Sequence, residues 1–199
     1  PEELTSEVRE SLMRYSEEQM NGHIGGGLVG VPLITRWAIE AGEAEWMYTM
    51  LKKRDYPGYL YMIDNGATAT WEYWNGERSR VHNCYNGIGR WFHQALAGIT
   101  PDESQPGYKH INIRPQLVEG ITWVKATKDS SYGPIAVNWN REEKEFTLDV
   151  EIPAGCTATV TLPAGAKDIV VDAQEGEVQG ETVSLPSGTY QIACLLASE

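Results

Sequence analysis

Apolar residues recur every three or four positions through the first half of the chain, which is the spacing of helices that bury one face. This spacing predicts four helices: residues 2–20, a segment that opens at Pro32 and is ended by Gly42, residues 44–51, and residues 87–97. The side chains expected to face inward are Leu4, Val8, Leu12 and Tyr15, then Ile34, Trp37, Ala38 and Ala41, then Ala44, Met47, Tyr48 and Leu51, and finally Ile88, Trp91, Phe92 and Leu96. Long glycine-rich and aromatic loops separate these helices, and loops of that length commonly carry function.

Strict alternation of apolar and polar residues replaces the helical spacing in the second half. The clearest case is residues 146–152, where Phe, Leu, Val and Ile alternate with Thr, Asp and Glu. The predicted strands are residues 110–113, 121–126, 135–139, 146–152, 157–162, 169–171, 178–185 and 189–196. Eight short strands bounded by Gly or Pro predict an antiparallel β-sandwich.

A polar stretch rich in turn-forming residues, 100–107, is the predicted linker between the two halves. We therefore expect a helical part at residues 1–100 and a β-sandwich domain at residues 101–199.

The charge of the chain restricts its partners. A net charge of −12 repels phosphate backbones and anionic lipid, so nucleic acid and membrane surfaces are excluded as expected partners. No apolar run approaches the roughly 20 residues that a membrane-spanning helix needs. Neutral sugars are compatible with this charge, and the seven Trp and ten Tyr offer flat rings with a polar edge. Any one of these rings can equally belong to the core.

The three cysteines, Cys84, Cys156 and Cys194, are widely spaced and form no Cys-x-x-Cys pair. They indicate neither a disulfide framework nor a zinc site, and no cofactor is predicted. Residues 25–30 match Gly-x-Gly-x-x-Gly, but no predicted strand precedes them. A tight turn is therefore a better interpretation of this segment than a dinucleotide site.

The densest candidate chemistry lies in residues 64–76, where Glu72 is flanked by Trp71, Tyr73 and Trp74. Aromatic rings beside a carboxylate can exclude water from it, which favours acid or base chemistry near neutral pH. Such rings are also typical of a sugar subsite. Chemistry alone leaves open that Glu72 only braces a loop. His82, ten residues later, is a candidate to hydrogen-bond a substrate hydroxyl, although taken alone it favours a structural role.

Several segments in a fixed order resemble the inverting α-L-rhamnosidase family of glycoside hydrolases. Residues 27–32 read Gly-Leu-Val-Gly-Val-Pro, similar to the family's Gly-Phe-x-Gly-Thr-Pro turn. Residues 56–59 and 66–74 are similar to its Tyr-Pro-Gly and Gly-Ala-Thr-Thr-x-Trp-Glu-x-Trp signature. The remaining matches are His82, Gly87, Ile88, Trp91, Phe92, residues 97–99, residues 106–109, residues 131–133 and Trp139. The resemblance covers nearly the whole chain.

This resemblance implies the end of an (α/α)6 toroid followed by a C-terminal β-sandwich. It further implies that Glu72 is the general base that activates water, that His82 contacts the sugar, and that Trp71 and Trp74 form pocket walls. An inverting mechanism needs a second carboxyl as the acid. In the family this acid lies on earlier helices, upstream of the first residue here, so we expect the chain alone to be inactive. The family's habit also favours a periplasmic or extracellular location.

Two positions depart from the family pattern. Val81 stands where the family usually has Asn, and Asn86 stands where it usually has Gly. The loop from Trp74 to His82 is also shorter than in many members, which bears on the shape of the substrate pocket.

Two alternatives to the rhamnosidase interpretation remain open at this point. The chain could belong to another (α/α)6 glycosidase, such as a glucoamylase-like or uronyl hydrolase, or it could be a non-catalytic carbohydrate-binding or structural module. Under the rhamnosidase interpretation the partner is a rhamnose-containing oligosaccharide or glycoside. Part of a helical ring also leaves apolar faces uncovered, with Trp37 and Trp46 as examples. We therefore expect either the N-terminal part of a catalytic domain or a second copy of the chain as a further partner.

Overall fold

The computed structural model describes residues 5–172 and 176–197, and only the backbone of Cys84. It contains two compact units, which divide between Trp91 and Phe92. The predicted inward position of Leu4 lies outside the described residues.

Helices fill the first unit. They are α1 (Thr5–Glu18), α2 (Gly27–Ala41), α3 (Ala44–Leu51) and α4 (Tyr59–Asp64), followed by a 3₁₀ helix at Asn83–Ile88 and one α-helical turn, α5, at Gly89–Trp91. The existence of the first three was predicted, and α3 has its predicted bounds. α4 was missed, because six residues are too few to show a period. None of the described helices is both long and apolar enough to cross a membrane.

The start and inward face of α2 differ from the prediction. Gly26 adopts a left-handed backbone, with φ at 107°, and starts the helix at Gly27, so Pro32 lies within its second turn and not at its first. The buried side chains are Val31, Thr35, Ala38 and Ile39. This face is rotated from the predicted one, with which it shares only Ala38. The predicted end was correct, because Gly42 caps the helix in the left-handed conformation.

The predicted inward face of α1 is also wrong over the described residues. Val8 and Tyr15 are 60% and 57% exposed, and Ser16 is the buried residue of the helix. Trp37 and Trp46, expected to lie uncovered, pack edge to face against each other with their ring centroids 5.6 Å apart. Other apolar side chains of this unit are exposed, among them Val29 and Leu33 of α2.

The predicted helix at residues 87–97 is irregular. After α5, residues Phe92–Leu96 form a π-helical turn. Trp91 and Leu96 are buried as predicted, but Phe92 is exposed. The hydrogen bonds change from the i→i+3 pattern of the 3₁₀ helix to the i→i+5 pattern of the π-helical turn, which alters the positions that share a face.

The second unit is the predicted β-sandwich, built from two five-stranded sheets. Its strands are β1 (Ile99–Pro101), β2 (His110–Ile113), β3 (Trp123–Ser130), β4 (Gly133–Glu142), β5 (Glu145–Ile152), β6 (Thr157–Thr161), β7 (Lys167–Val171), β8 (Glu177–Gln179), β9 (Thr182–Leu185) and β10 (Gly188–Leu195). The first sheet has the order β1-β2-β6-β9-β8, and the second has the order β3-β4-β5-β10-β7.

Three details of the sandwich depart from the sequence prediction. β1 lies partly in the predicted linker, and the predicted strand at 178–185 is two strands, because Gly180 turns the chain with φ at 61°. The pairing of β2 with β6 is parallel, whereas the other described strand pairs are antiparallel.

The inner faces of both sheets enclose one apolar core. Its largest side chain is Trp139, which is 2% exposed and contacts the ring of Phe146 with their centroids 5.9 Å apart. The indole Nε1 of Trp139 donates to the carbonyl oxygen of Leu96 at 2.7 Å. Gly98 has φ at 76°, and a Cβ at this position would lie 2.2 Å from the carbonyl carbon of Arg114. Only glycine fits such a close approach of two main chains.

Candidate functional site

Thr70–His82 form a closed loop, which we call the Glu72 loop. Its two sides are joined by two main-chain hydrogen bonds: the N–H of His82 donates to the carbonyl of Thr70, and the N–H of Glu72 donates to the carbonyl of Ser79, both at 2.8 Å. The chain reverses direction at Gly76, where φ is 73°. The loop is therefore fixed at its base and near its middle by its own backbone.

The interior of the Glu72 loop is filled by Trp71. Its ring is buried, and the guanidinium carbon of Arg80 lies 5.2 Å from the ring centroid. Arg80 Nε also donates to the carbonyl of Gly76 at 3.4 Å. A Cβ at Gly76 would come within 3.0 Å of two Trp71 ring atoms, so the turn and the ring fit closely. Trp71, predicted to be a pocket wall, packs inside its own loop in this structure.

Glu72 is half-buried, and its carboxylate is oriented by the loop. Its Oε2 accepts a hydrogen bond from the backbone N–H of Ser79 at 3.4 Å. Among the described residues Glu72 forms no ion pair. The nearby cations of the loop lie over aromatic rings, Arg78 over Tyr73 at 5.1 Å and Arg80 over Trp71. The Glu72 carboxylate is therefore held by a backbone donor of its own loop and by no ion pair with a described residue.

Trp74 belongs to an aromatic cluster beside the loop. Its ring stacks on Tyr85 with a centroid separation of 3.9 Å and meets the edge of Tyr59 at 5.2 Å. The Tyr59 hydroxyl donates to the carbonyl of Tyr85 at 2.8 Å. Burial, and to a lesser degree the neighbouring Tyr85, raises the pKa of Tyr59, which keeps this donor protonated. Sequence reasoning gave no role to Tyr59 or Tyr85, because nothing in their spacing indicates that they contact Trp74.

His82 is half-buried at the base of the Glu72 loop, where Thr70 contacts it twice. Besides the main-chain bond, the Thr70 hydroxyl lies 2.5 Å from the carbonyl oxygen of His82 and 2.6 Å from Oδ1 of Asn86. The four predicted site residues, Trp71, Glu72, Trp74 and His82, therefore lie in one hydrogen-bonded loop. Their roles toward a sugar stay predictions.

No group of three or more His, Cys, Asp or Glu side chains suited to hold a metal ion is found within residues 5–172 and 176–197.

Two protein-family models match the chain. The bacterial alpha-L-rhamnosidase 6 hairpin glycosidase domain matches residues 1–96, and the bacterial alpha-L-rhamnosidase C-terminal domain matches residues 98–177. An alpha-L-rhamnosidase of Formosa agariphila is 30% identical over 195 residues, which cover 92% of this chain and 21% of that protein. One from Alteromonas sp. is 30% identical over 185 residues, or 87% of this chain and 20% of that protein. The chain thus spans about a fifth of the length of these relatives.

Solved structures have the same fold. The Streptomyces avermitilis alpha-L-rhamnosidase, in complex with L-rhamnose, matches with a TM-score of 0.87 and 26% identity, over 97% of this chain and 20% of that chain. The enzyme from Dictyoglumus thermophilum matches with a TM-score of 0.84 and 23% identity, over 98% of this chain and 24% of that chain. Together with the two ordered domain matches, these relatives show that the chain belongs to the bacterial α-L-rhamnosidase family.

Proposed function

We propose that Glu72 is the general base of an α-L-rhamnosidase, and that the parent protein hydrolyses terminal α-L-rhamnosyl groups with inversion. The observation that supports this proposal is the setting of the Glu72 carboxylate. It is half-buried, held by the Ser79 N–H and without an ion-pair partner among the described residues. Such a group takes a proton from water as the water oxygen attacks the anomeric carbon.

The substrate proposed for the parent is a rhamnose-containing oligosaccharide or glycoside. A related structure is a complex with L-rhamnose, which supports this sugar class. His82 would hydrogen-bond the sugar, and Trp74, stacked on Tyr85, would form an aromatic wall. Trp71 would shape the wall indirectly, because its ring supports the turn at Gly76.

The proposed mechanism needs a second carboxyl group, which protonates the leaving oxygen. In inverting glycosidases the two carboxyl groups are about 6.5–9.5 Å apart, so that a water molecule fits between them. We propose, from the family resemblance, that this acid lies in the part of the catalytic domain that precedes residue 1, and that the 199-residue chain alone is inactive. In this view residues 1–100 complete a catalytic domain and residues 101–199 form the C-terminal sandwich domain.

Uncovered apolar side chains support the need for a further partner. Val8 and Tyr15 on α1 and Val29 and Leu33 on α2 are mostly exposed. We propose that the remainder of the catalytic domain covers these faces, with a second copy of the chain as the alternative. Light scattering on the isolated chain tests this need, because a well-folded monomer without exposed apolar surface would count against it.

The experiment is hydrolysis of an aryl α-L-rhamnoside by the full-length parent, in which wild type is compared with Glu72→Gln. Loss of a general base lowers the rate by about 10²–10⁴-fold. Glu77→Gln is the matched control, because Glu77 is an exposed carboxylate of the same loop. NMR of the first-formed sugar identifies the anomer, and an inverted product is expected.

Each outcome decides one part of the proposal. Activity that survives Glu72→Gln removes Glu72 as the base, and a product with retained configuration removes the inverting mechanism. Turnover by the isolated 199-residue chain removes the assignment of the acid to an upstream segment. A wild-type parent that is inactive on rhamnosides but cleaves glucosides or uronides is another glycosidase. A parent that cleaves none of them is a binding or structural module.

A further inference from the structure

We propose that Thr70 and Asn86 are positioning residues that fix His82 relative to Glu72, an inference that rests on the proposed function of the Glu72 loop. Neither residue is among those that the family resemblance assigns to the site. Three observations support the proposal: a reciprocal pair of hydrogen bonds, a relay of hydrogen bonds to a third residue, and the connection of both to Glu72.

The first observation is that Thr70 holds both main-chain groups of His82. The N–H of His82 donates to the carbonyl of Thr70 at 2.8 Å, and the Thr70 hydroxyl lies 2.5 Å from the carbonyl oxygen of His82. A rotation of the His82 backbone in either direction therefore breaks at least one of these bonds. The orientation of the imidazole depends on this backbone, because the side chain departs from it.

The second observation is the contact between Thr70 and Asn86. The Thr70 hydroxyl carries one proton, yet it lies near two oxygens, the His82 carbonyl and Asn86 Oδ1 at 2.6 Å. Both contacts are satisfied when the Asn86 amide is turned by 180°, because its Nδ2 then donates to the hydroxyl while the hydroxyl donates to His82. The result is a relay from Asn86 through Thr70 to His82, in which each bond strengthens the next.

The third observation connects the relay to Glu72. Thr70 and His82 form the base of the Glu72 loop, and the next pair along the loop joins the Glu72 N–H to the Ser79 carbonyl at 2.8 Å. Ser79 then returns its own N–H to the Glu72 carboxylate. A change at the base of the loop therefore displaces both the carboxylate and the imidazole. Misplacement of catalytic groups by about 1 Å costs as much as 10²-fold in rate.

The test uses the full-length parent and the hydrolysis of an aryl α-L-rhamnoside. Thr70→Val keeps the shape of the side chain and removes the hydroxyl, and we expect it to lower kcat/KM by about 10- to 100-fold. Thr70→Ser keeps the hydroxyl and should restore activity to within about threefold of wild type. Thr49→Val is the matched control, because the Thr49 hydroxyl makes the same kind of bond, to the carbonyl of Trp46 at 2.7 Å, outside the loop.

A double-mutant cycle separates the relay from independent effects. Asn86→Ala alone should lower kcat/KM by less than Thr70→Val does. The double variant should be no worse than Thr70→Val, because the amide acts only through the hydroxyl. Additive losses would overturn the relay. Activity of Thr70→Val equal to that of wild type, or Thr70→Ser as impaired as Thr70→Val, would overturn the positioning role.

A second measurement does not depend on turnover. In the 199-residue chain, amide hydrogen exchange of His82 should become about fivefold faster in Thr70→Val and recover in Thr70→Ser, because a hydrogen bond contributes about 1 kcal/mol. Unchanged exchange would overturn the structural part of the inference. The proposed function is tested separately. If Glu72→Gln keeps full activity, Glu72 is not the general base. If Glu72→Gln is inactive while Thr70→Val is fully active, only the positioning role of Thr70 and Asn86 fails.

Discussion

The bond between Trp139 and Leu96 gives the most direct test of how the sandwich is stabilised. Trp139 is 2% exposed, and its Nε1 donates to the Leu96 carbonyl at 2.7 Å. Trp139→Phe removes this donor and leaves a buried carbonyl without its partner, which costs about 1–3 kcal/mol. The smaller ring also buries two fewer carbon atoms, which costs roughly 1–1.5 kcal/mol. The expected loss in the free energy of unfolding is therefore about 2–4.5 kcal/mol.

Hydrogen exchange of the most protected amides in β4 and β5 measures this loss within the sandwich itself, whatever the helical unit does. The expected loss corresponds to exchange that is about 30- to 2,000-fold faster. Trp123→Phe is the control. It makes the same chemical change on β3, where Trp123 is 66% exposed, and should alter stability by less than about 0.5 kcal/mol. A loss in Trp139→Phe of about 1 kcal/mol or less would refute the reasoning, because burial of the ring alone would account for it.

Three further predictions concern single positions in the second unit. Gly98→Ala should destabilise the sandwich by more than about 3 kcal/mol, measured by hydrogen exchange, because the added Cβ would lie 2.2 Å from a main-chain carbon. The control Gly120→Ala, with φ at 84° but open space around it, should cost about 1 kcal/mol, and equal losses would contradict the close approach at Gly98. The side-chain hydroxyl and backbone N–H of Ser104 lower the pKa of Asp102. The stabilisation from this carboxylate is therefore present above the ordinary carboxyl pKa and is lost as the pH falls through the lowered pKa. Ser104→Ala should raise the pKa of Asp102 in an NMR titration, and an unchanged titration would contradict the assignment. Burial raises the pKa of the Cys194 thiol, so iodoacetamide should label this thiol only after unfolding. Peptide mass spectrometry measures the labelling, and rapid labelling of the folded protein would contradict the prediction.

The strands were predictable because alternation records directly which side of a strand faces the core. β2 has the predicted bounds, and the predicted inward residues of β5 are all buried. The sequence does not show the parallel pairing of β2 with β6, because alternation specifies faces and not neighbours. The turn at Gly180 was missed although the alternation changes phase there, since Val178 lies five residues before Val183.

Helical faces were less predictable, because each depends on where the helix begins and on what covers it. In α2, the left-handed conformation of Gly26 moves the start five residues ahead of Pro32 and rotates the buried face. In α1 the apolar residues Val8 and Tyr15 have the right spacing but nothing in the described chain covers them. Spacing reports which side of a helix is apolar, and the covering partner decides whether that side is buried.

The candidate site was predictable only as a segment. The aromatic residues around Glu72 marked the region, while the roles of Glu72 and His82 came from the family resemblance. The bonds that organise the loop join residues up to 12 positions apart, from Thr70 to His82, and they depend on the turn at Gly76. No local pattern in the sequence records such bonds.

The position of β10 has a consequence for how the protein is made. β10 is the last described strand in chain order, yet it lies inside the second sheet, paired with β5 on one side and β7 on the other. During synthesis the β3–β5 meander can form as soon as it emerges, but β7 has no neighbour in its sheet until β10 arrives. Pairing β10 with β5 requires closing the long segment between these two strands, which is slow. Until this pairing forms, β5 presents an open edge to other chains. The sandwich therefore completes its fold only after β10 has been synthesised, and a nascent chain stalled before Gly188 is the form most prone to aggregate.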